Sequence, residues 1–525
     1  MMRSRAFLVA LLLITAGALC FRLPALENRP MHSDEAVHAI RFREIWEKGV
    51  YRYDPNEFHG PTIYYAALPS VRLHGRQNFA DTREADYRLP IALFGAAMVL
   101  LLAPLADGLG RRAALWAGLF FALSPAFVFY SRYFIQEIFL AFFTLGLLTC
   151  GWRYAKRPAP GWLIGAGFCA GMMIASKETA VLTFATCGIA LGLTAFWNRR
   201  IEGEPPALRR LWNGKHVALA LGVTLLTASL FVSGFFSNLS GPLDYLRAYT
   251  PWFQRAHGTD LHRHPWNYYL SILIWTHREK GPVWSEGVIV GLALIGLVLA
   301  LLPRAKSRLE GSATLARFVG FYTVTLTCIY SVIPYKTPWC VLSFLLGMIL
   351  LAGIAADTLI CRAPGKPLKA LVILLLLAGC TQLGVLAYDT SFPYNTRWGN
   401  PYVYSPTVPD AENLRLLLEQ IAAASPQRDR MVVQVFSVDN YYWPLPWYLR
   451  RFPNVGYWTE VPQDADAPII LASQEFDDTL TKRLGDTHLM HGIYGIRPNV
   501  FFELWVRMDV WKAYVETRKA AHPDE

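Results

Sequence analysis

The chain has 525 residues, 54% of them hydrophobic and 14% aromatic, while charged residues make up 17%, against ~25% in soluble domains. This composition excludes a disordered or fibrous protein, and a mean hydropathy of +0.27 with many long uncharged runs implies lipid as the main solvent. The formal charge of +11, from 50 Lys and Arg against 39 Asp and Glu, raises nucleic acid or an anionic surface as partners, and the placement of the charges decides.

The N-terminal MMRSR precedes the apolar run AFLVALLLITAGALCF, a pattern shared with secretory signals. Leu19 before Cys20 spoils a lipoprotein site, so the segment reads as an uncleaved signal anchor. It covers 6–23. Further runs long enough to cross ~30 Å of hydrocarbon fall near 89–106, 113–130, 137–153, 161–176, 178–197, 217–236, 282–302, 315–333, 339–360 and 370–388, about eleven spans in all. With the N-terminus cytoplasmic, the loops on its side hold eighteen Lys or Arg, and the short loops opposite hold three, Arg132, Lys177 and Lys336. The positive-inside rule predicts that asymmetry, and the scatter of basic residues over six loops removes the nucleic-acid reading. An odd number of spans puts the C-terminal part outside.

Two outer loops, 24–88 and 237–281, are too long and polar to be turns. In the first, EAVHAIRFREIWEKG mixes apolar residues with charges and predicts a helix lying along the membrane surface. In the second, Trp252, Trp266, Tyr268, Tyr269 and Trp275 suit an interfacial aromatic belt. The tail changes character after the Pro-rich stretch 391–409. Its β-rich runs at 431–436, 454–458 and 468–473 alternate with helical stretches near 410–424, 441–451 and 475–484, and a hairpin flanks 497–499, which predicts a small α/β domain. The expected organisation is a membrane domain at 1–389 and an extracytoplasmic domain at 390–525. The tail contains no cysteine, so it should fold without disulfides and be soluble when expressed alone. The eight cysteines all lie in or beside apolar runs with no CxxC pair, as expected of small buried hydrophobes.

Ionisable residues outside the cytoplasmic loops carry the candidate chemistry. Asp34 and Glu35, in MHSDEAVHA just after the first span, could act as general base and partner. The plainer reading is a helix start, with Ser33 as N-cap and acids in the first turn. His32, Asp34 and His38 could ligate a metal, but the leading His of a zincin motif is missing. His257, His262 and His264 read as solvated loop histidines near headgroups. The short outer turns bring Arg132, Lys177 and Lys336 to the side of Asp34, where cations could hold a lipid phosphate whose charge grows as its bond to a sugar breaks. Snorkelling at the bilayer edge is the alternative.

The strings SDEAVHA, EFHGPTIYY, FYSRYFIQE, ASKET and YSVIPYKTPW, in this order, resemble the GT-C glycosyltransferase superfamily of protein O-mannosyltransferases and aminoarabinose transferases. They are closest to a prokaryotic subgroup called Agl23-like, or flippase-activity-associated. The resemblance implies a mainly α, polytopic GT-C-type membrane protein with interfacial helices in its outer loops. It also implies catalytic roles for Asp34 as base, Glu35 as its partner and Glu137 as the acid of the second outer loop. Lys177 would sit near the lipid phosphate. Glu57, His59 and Tyr64 stand where aminoarabinose transferases carry a Lys-Pro-Pro-Leu-Tyr-Tyr-like stretch, His59 replacing the lysine. With Arg132 and Lys336 they complete the expected substrate-binding set.

The function expected is transfer of a sugar from a polyprenyl-phosphate donor to an extracytoplasmic protein, lipid or glycan, in a prokaryotic plasma membrane. No resident metal or organic cofactor is expected, with a divalent cation left open, and membrane lipids are the other partners. The alternative is a non-catalytic flippase or transport component for lipid-linked glycans. A transporter places ionisable residues near mid-span, and here they gather at the outer turns. An oligosaccharyltransferase would need a Trp-Trp-Asp-Tyr-Gly motif, which is missing.

Overall fold

The computed structural model describes residues 4–56, 59–203, 213–256, 262–278, 281–303, 307 and 309–521. The protein is mainly helical and multi-pass. Among the described residues, eight helices are long and apolar enough to cross a membrane: Ser4–Arg22, Glu84–Leu102, Glu137–Lys156, Ala180–Arg200, Gly214–Val232, Ala313–Val332, Pro338–Arg362 and Gly365–Ser391. Two more of the expected windows hold shorter apolar helices, Pro160–Ser176 and Gly287–Leu301. The window at 113–130 is broken into Arg111–Leu123 and Pro125–Tyr130. Pro125 disfavours helical backbone at the residue before it, and Ser124 accordingly sits at φ −57°, ψ 118° and caps the second helix by accepting from the Phe127 N–H.

The helix Pro338–Arg362 is apolar on every face, and 94% of its window is buried inside the protein, against 17% for Ser4–Arg22. At Gly353 a Cβ would come within 2.4 Å of the Ala113 carbonyl oxygen. The missing side chain therefore lets two helices touch backbone to backbone, as small residues do in membrane packing.

The chain divides into two compact units. The first is Met1–Leu26, Gly49–Ser70 and Tyr87–Tyr404, and the second is Glu27–Lys48, Val71–Asp86 and Ser405–Glu525. This differs from the expected division at 389/390, because two pieces of the first outer loop group with the tail. The helix Ser33–Lys48 gives the reason. Its apolar residues Ala36, Ala39 and Phe42 are fully buried, and it packs on the one-turn helix Leu445–Tyr448 and on Phe79–Asp81 of its own unit. Protein of its own unit therefore covers that apolar stripe. Met31 N–H donates to the Tyr448 hydroxyl at 2.9 Å, and Trp447 Nε1 donates to Glu84 at 2.9 Å, tying the three pieces together.

The second unit holds a five-stranded sheet. Its strands are β1 (Val433–Phe436), β2 (Val455–Trp458), β3 (Ile469–Ser473), β4 (His488–Arg497) and β5 (Val500–Arg507), in spatial order β2-β1-β3-β5-β4. β1 pairs parallel with β2 and β3, and β5 pairs antiparallel with β3 and β4. β1 and β3 are buried along their whole length, as short, mainly apolar runs at the middle of a mixed sheet covered on both faces should be. The strand runs and the helices Asp410–Ala424 and Asp477–Leu484 match the expected elements. The stretch expected as helix at 441–451 shrinks to Leu445–Tyr448, with Pro444 just before it and Pro446 tolerated in its first turn. Met508–Ala521 is a helix with no counterpart among the expected elements.

Candidate active site

In the second unit, the helix Ser33–Lys48 begins with the acidic pair. The Asp34 N–H donates to Nδ1 of His32 at 3.1 Å, and the His32 N–H donates to Oε2 of Glu35 at 3.1 Å. This is capping-box logic with His32 in the place of the usual Ser or Thr, and it leaves Nε2 to carry the ring proton of His32. Ser33, the expected cap, has a buried hydroxyl without a partner among the described residues. Glu35 is fully buried, and Nη2 of Arg29 lies 3.2 Å from each of its carboxylate oxygens. Both oxygens of Glu35 are thereby committed to building the helix start. Asp34 stands apart. It is half-buried, and among the described residues its carboxylate enters no hydrogen bond or ion pair. Its electrostatic neighbour is Arg497, the last residue of β4, whose guanidinium burial pulls below its ordinary value while the Asp34 charge opposes. Arg497 donates from Nη2 to the Tyr441 carbonyl at 3.2 Å and keeps a buried Nε without a partner among the described residues.

In the first unit, two short segments meet. Gly60 lies directly on the end of the helix Pro160–Ser176, where a Cβ would sit 2.0 Å from the Ala175 carbonyl oxygen. Any side chain at this position would push the segment away. Its neighbour His59 then reaches Glu178, with Nδ1 2.6 Å from Oε2, while the Tyr53 hydroxyl donates to Oε1 at 2.6 Å. Burial pushes the Glu178 carboxyl upward, but His59 and these hydrogen bonds outweigh it and hold the group below its ordinary range. Burial first, and then the Glu178 charge, push the Tyr53 hydroxyl well above its ordinary value.

Next to Glu178, Lys177 forms a buried ion pair with Glu137, the first residue of the helix Glu137–Lys156. Burial pulls the ammonium down, yet the Glu137 charge prevails and Lys177 lies above its ordinary value. Oε2 of Glu137 is buried without a partner among the described residues, an acceptor left over inside a cationic site.

The other expected residues do different work. Arg132 donates to the carbonyls of Arg22 at 2.8 Å, Pro24 at 2.7 Å and Ala25 at 3.0 Å, and it lies over the Phe392 ring. Its charge closes the C-terminal end of the helix Ser4–Arg22, where cations are favoured. Lys336 is buried, with its ammonium on the carbonyls of Ile333 and His264, and burial pulls it below its ordinary value. Tyr64 is wholly buried beside the Tyr51 ring. Glu57 and His257 lie outside the described residues. Among the described residues no group of three or more His, Cys, Asp or Glu is arranged to hold a metal ion.

The structure therefore joins Glu137 to Lys177, and joins His59 to Glu178, which the sequence reading had not selected. The signal for Glu178 was its place beside Lys177 in a three-residue turn. Tyr53 gave no signal, and Arg497 was read only as part of a hairpin turn.

Residues 64–240 match the family model for dolichyl-phosphate-mannose-protein mannosyltransferase, about a third of the chain. A search of the curated proteins finds no match. Among solved structures, the crystal structure of ArnT from Cupriavidus metallidurans bound to undecaprenyl phosphate is 16% identical, covering 94% of this chain and 97% of that one, with a TM-score of 0.63. The apo form of the same protein matches with the same identity and coverage and a TM-score of 0.61. At this identity the likeness establishes the fold. The chain has the fold of ArnT, with a mannosyltransferase-family sequence match confined to 64–240.

Proposed function

We propose that the protein is a membrane glycosyltransferase that moves a sugar from a polyprenyl-phosphate donor to an extracytoplasmic acceptor on a protein, lipid or glycan. The observation that carries this reading is the division of labour at the acidic pair: Glu35 is committed to structure, and the Asp34 carboxylate beside it is without a partner among the described residues. In the reaction an acceptor oxygen attacks the anomeric carbon and the bond from that carbon to the phosphate oxygen breaks. The electron pair goes to the phosphate, and the acceptor proton passes to Asp34. His59 and Lys177 are the residues assigned to the phosphate, where negative charge develops. The shared fold with a protein that holds undecaprenyl phosphate supports the donor class. The positive-inside count supports a prokaryotic plasma-membrane protein with a cytoplasmic N-terminus and the second unit outside.

The test is release of polyprenyl phosphate from a panel of polyprenyl-phosphate sugars by the purified protein in liposomes. Asp34→Asn should lower turnover by ~10²–10⁴ with the melting curve unchanged, the usual worth of a positioned general base. Full turnover by that variant would remove Asp34 as base. Lipid export without any transfer would replace the enzyme with a flippase.

A further inference from the structure

One end of the sheet in the second unit gathers polar groups that the fold leaves unsatisfied. β1 lies between parallel neighbours, β2 and β3, and β4 runs in the same direction because two antiparallel pairings separate it from β3. The loop that leaves β1 and the last residue of β4 therefore share the carboxyl end of the sheet, where open α/β sheets hold ligands. That loop carries Tyr441, and β4 ends on Arg497, whose Nη2 donates to the Tyr441 carbonyl at 3.2 Å. The start of the helix Ser33–Lys48 is tied to the same place through residues 407 and 408. The Thr407 hydroxyl donates to the Met31 carbonyl at 2.7 Å, and the Val408 N–H donates to the Ile496 carbonyl at 3.1 Å.

Three groups here lack a partner among the described residues: the Asp34 carboxylate, the buried Ser33 hydroxyl and the buried Nε of Arg497. Orphaned polar groups gathered at one place in a native fold call for a ligand. Asp34 and Arg497 are electrostatic neighbours, yet no ion pair or hydrogen bond joins them. A carboxylate only accepts and a guanidinium only donates, so a hydroxyl, which does both, fits the gap between them. The Tyr441 side chain is the other electrostatic neighbour of Arg497, and it is 46% exposed. Behind it the Tyr442 ring packs 4.6 Å from Tyr457 of β2 and 5.7 Å from Trp443, which holds the loop in place. An aromatic ring beside a carboxylate and a guanidinium matches a pyranose, which has hydroxyls around its rim and an apolar C–H face.

We propose that the acceptor is a sugar, with Asp34 and Arg497 holding two of its neighbouring hydroxyls and the Tyr441 ring packing on its C–H face. This choice of a glycan over a protein or a lipid rests on the glycosyltransferase reading above. The hydroxyl that donates to Asp34 is the one that attacks. Arg497 takes the oxygen of the vicinal hydroxyl, because a guanidinium donating to the attacking oxygen would draw off the electron pair that oxygen must supply. A serine or threonine side chain offers a single hydroxyl and leaves Tyr441 without a ring face to cover.

The experiment is saturation-transfer NMR on the full chain in phosphatidylcholine nanodiscs, with no donor present. The probes are the methyl glycosides of mannose, glucose, galactose and N-acetylglucosamine, with N-acetylthreonine methylamide beside them. At least one glycoside should bind, with its C–H face most strongly saturated. Arg497→Gln should weaken that binding about tenfold or more, the worth of one charge-assisted hydrogen bond. Tyr441→Ala should weaken it several-fold and Tyr441→Phe should not, since the ring and not the hydroxyl makes the contact. The exposure of Tyr441 keeps this pair of variants folded even where Arg497→Gln lowers the melting temperature of the second unit. Binding of no glycoside, or glycoside binding indifferent to both Arg497→Gln and Tyr441→Ala, would overturn the proposal. Binding of the threonine amide alone, dependent on Arg497, would assign a protein acceptor in its place. Glycoside binding that needs both residues, with no transfer to the glycoside from any polyprenyl-phosphate sugar, would keep the sugar site and overturn the glycosyltransferase reading.

Discussion

At the scale of single residues, adjacent carboxylates with the same chemistry have opposite fates because the helix start treats successive positions differently. Glu35 sits at the third helical position, where its side chain can return to the His32 N–H, while Asp34 points its carboxylate elsewhere. The variants should separate accordingly. Glu35→Gln removes one partner of a buried ion pair and should lower stability by about 3–5 kcal/mol, seen as a depressed melting temperature of the second unit. Asp34→Asn should leave that melting temperature in place while turnover collapses. Equal melting losses in both variants would return Asp34 to a capping role. The acidic pair was legible in SDEAVHA. Which member is free was not legible, because that depends on Arg29 folding back onto Glu35 and on His32 usurping the cap from Ser33.

At the scale of elements, the broken helix at 111–130 is held by a carboxylate far away in sequence. Glu286 is buried and accepts from the Ser124 hydroxyl at 2.6 Å, the Ala126 N–H at 2.8 Å and the Tyr402 hydroxyl at 2.7 Å. These bonds pin the start of Pro125–Tyr130, the start of Gly287–Leu301 and the chain near 402 at one point. Glu286→Ala strands a buried N–H and two buried hydroxyls and should cost about 1–3 kcal/mol for each, measured by thermal melting in detergent. Glu286→Gln can keep the acceptor for Ala126 and Tyr402 and donate to Ser124, so it should melt close to wild type. If the alanine variant melts like the wild type, the bonds do not support the break. Ser124-Pro125 announces that break locally, yet an apolar count over 113–130 hides it, because hydropathy averages over a proline that the backbone cannot ignore.

At the scale of the whole molecule, the tail has its own core, built on Phe436, Ile470, Ala472, Leu480, Leu484 and Trp505. Its helix Leu445–Tyr448, however, is covered by residues 27–48 and 71–86. A fragment of 405–525 should keep its sheet but expose that face. It should bind a hydrophobic dye and melt lower than a fusion that also carries 27–48 and 71–86. A lone tail as stable as the fusion would mean these segments contribute no packing. Reporter fusions after residues 157 and 395 should report cytoplasm and exterior, and matching signals would overturn the orientation. The sequence by itself determined the lipid solvent, most of the spans and the strand runs, because runs of apolar residues and their spacing are local properties of the chain. It also marked Asp34 and Lys177 as candidates by their charge in outer segments, while His59 came only from the family resemblance. Only the tertiary structure decided that Arg132 and Lys336 serve backbone carbonyls, that Glu178 clamps His59, and that two pieces of the first outer loop belong to the tail's unit. Each of those outcomes is a contact between residues distant in sequence, where burial makes an unmatched charge costly and the folded chain alone decides which partner satisfies it.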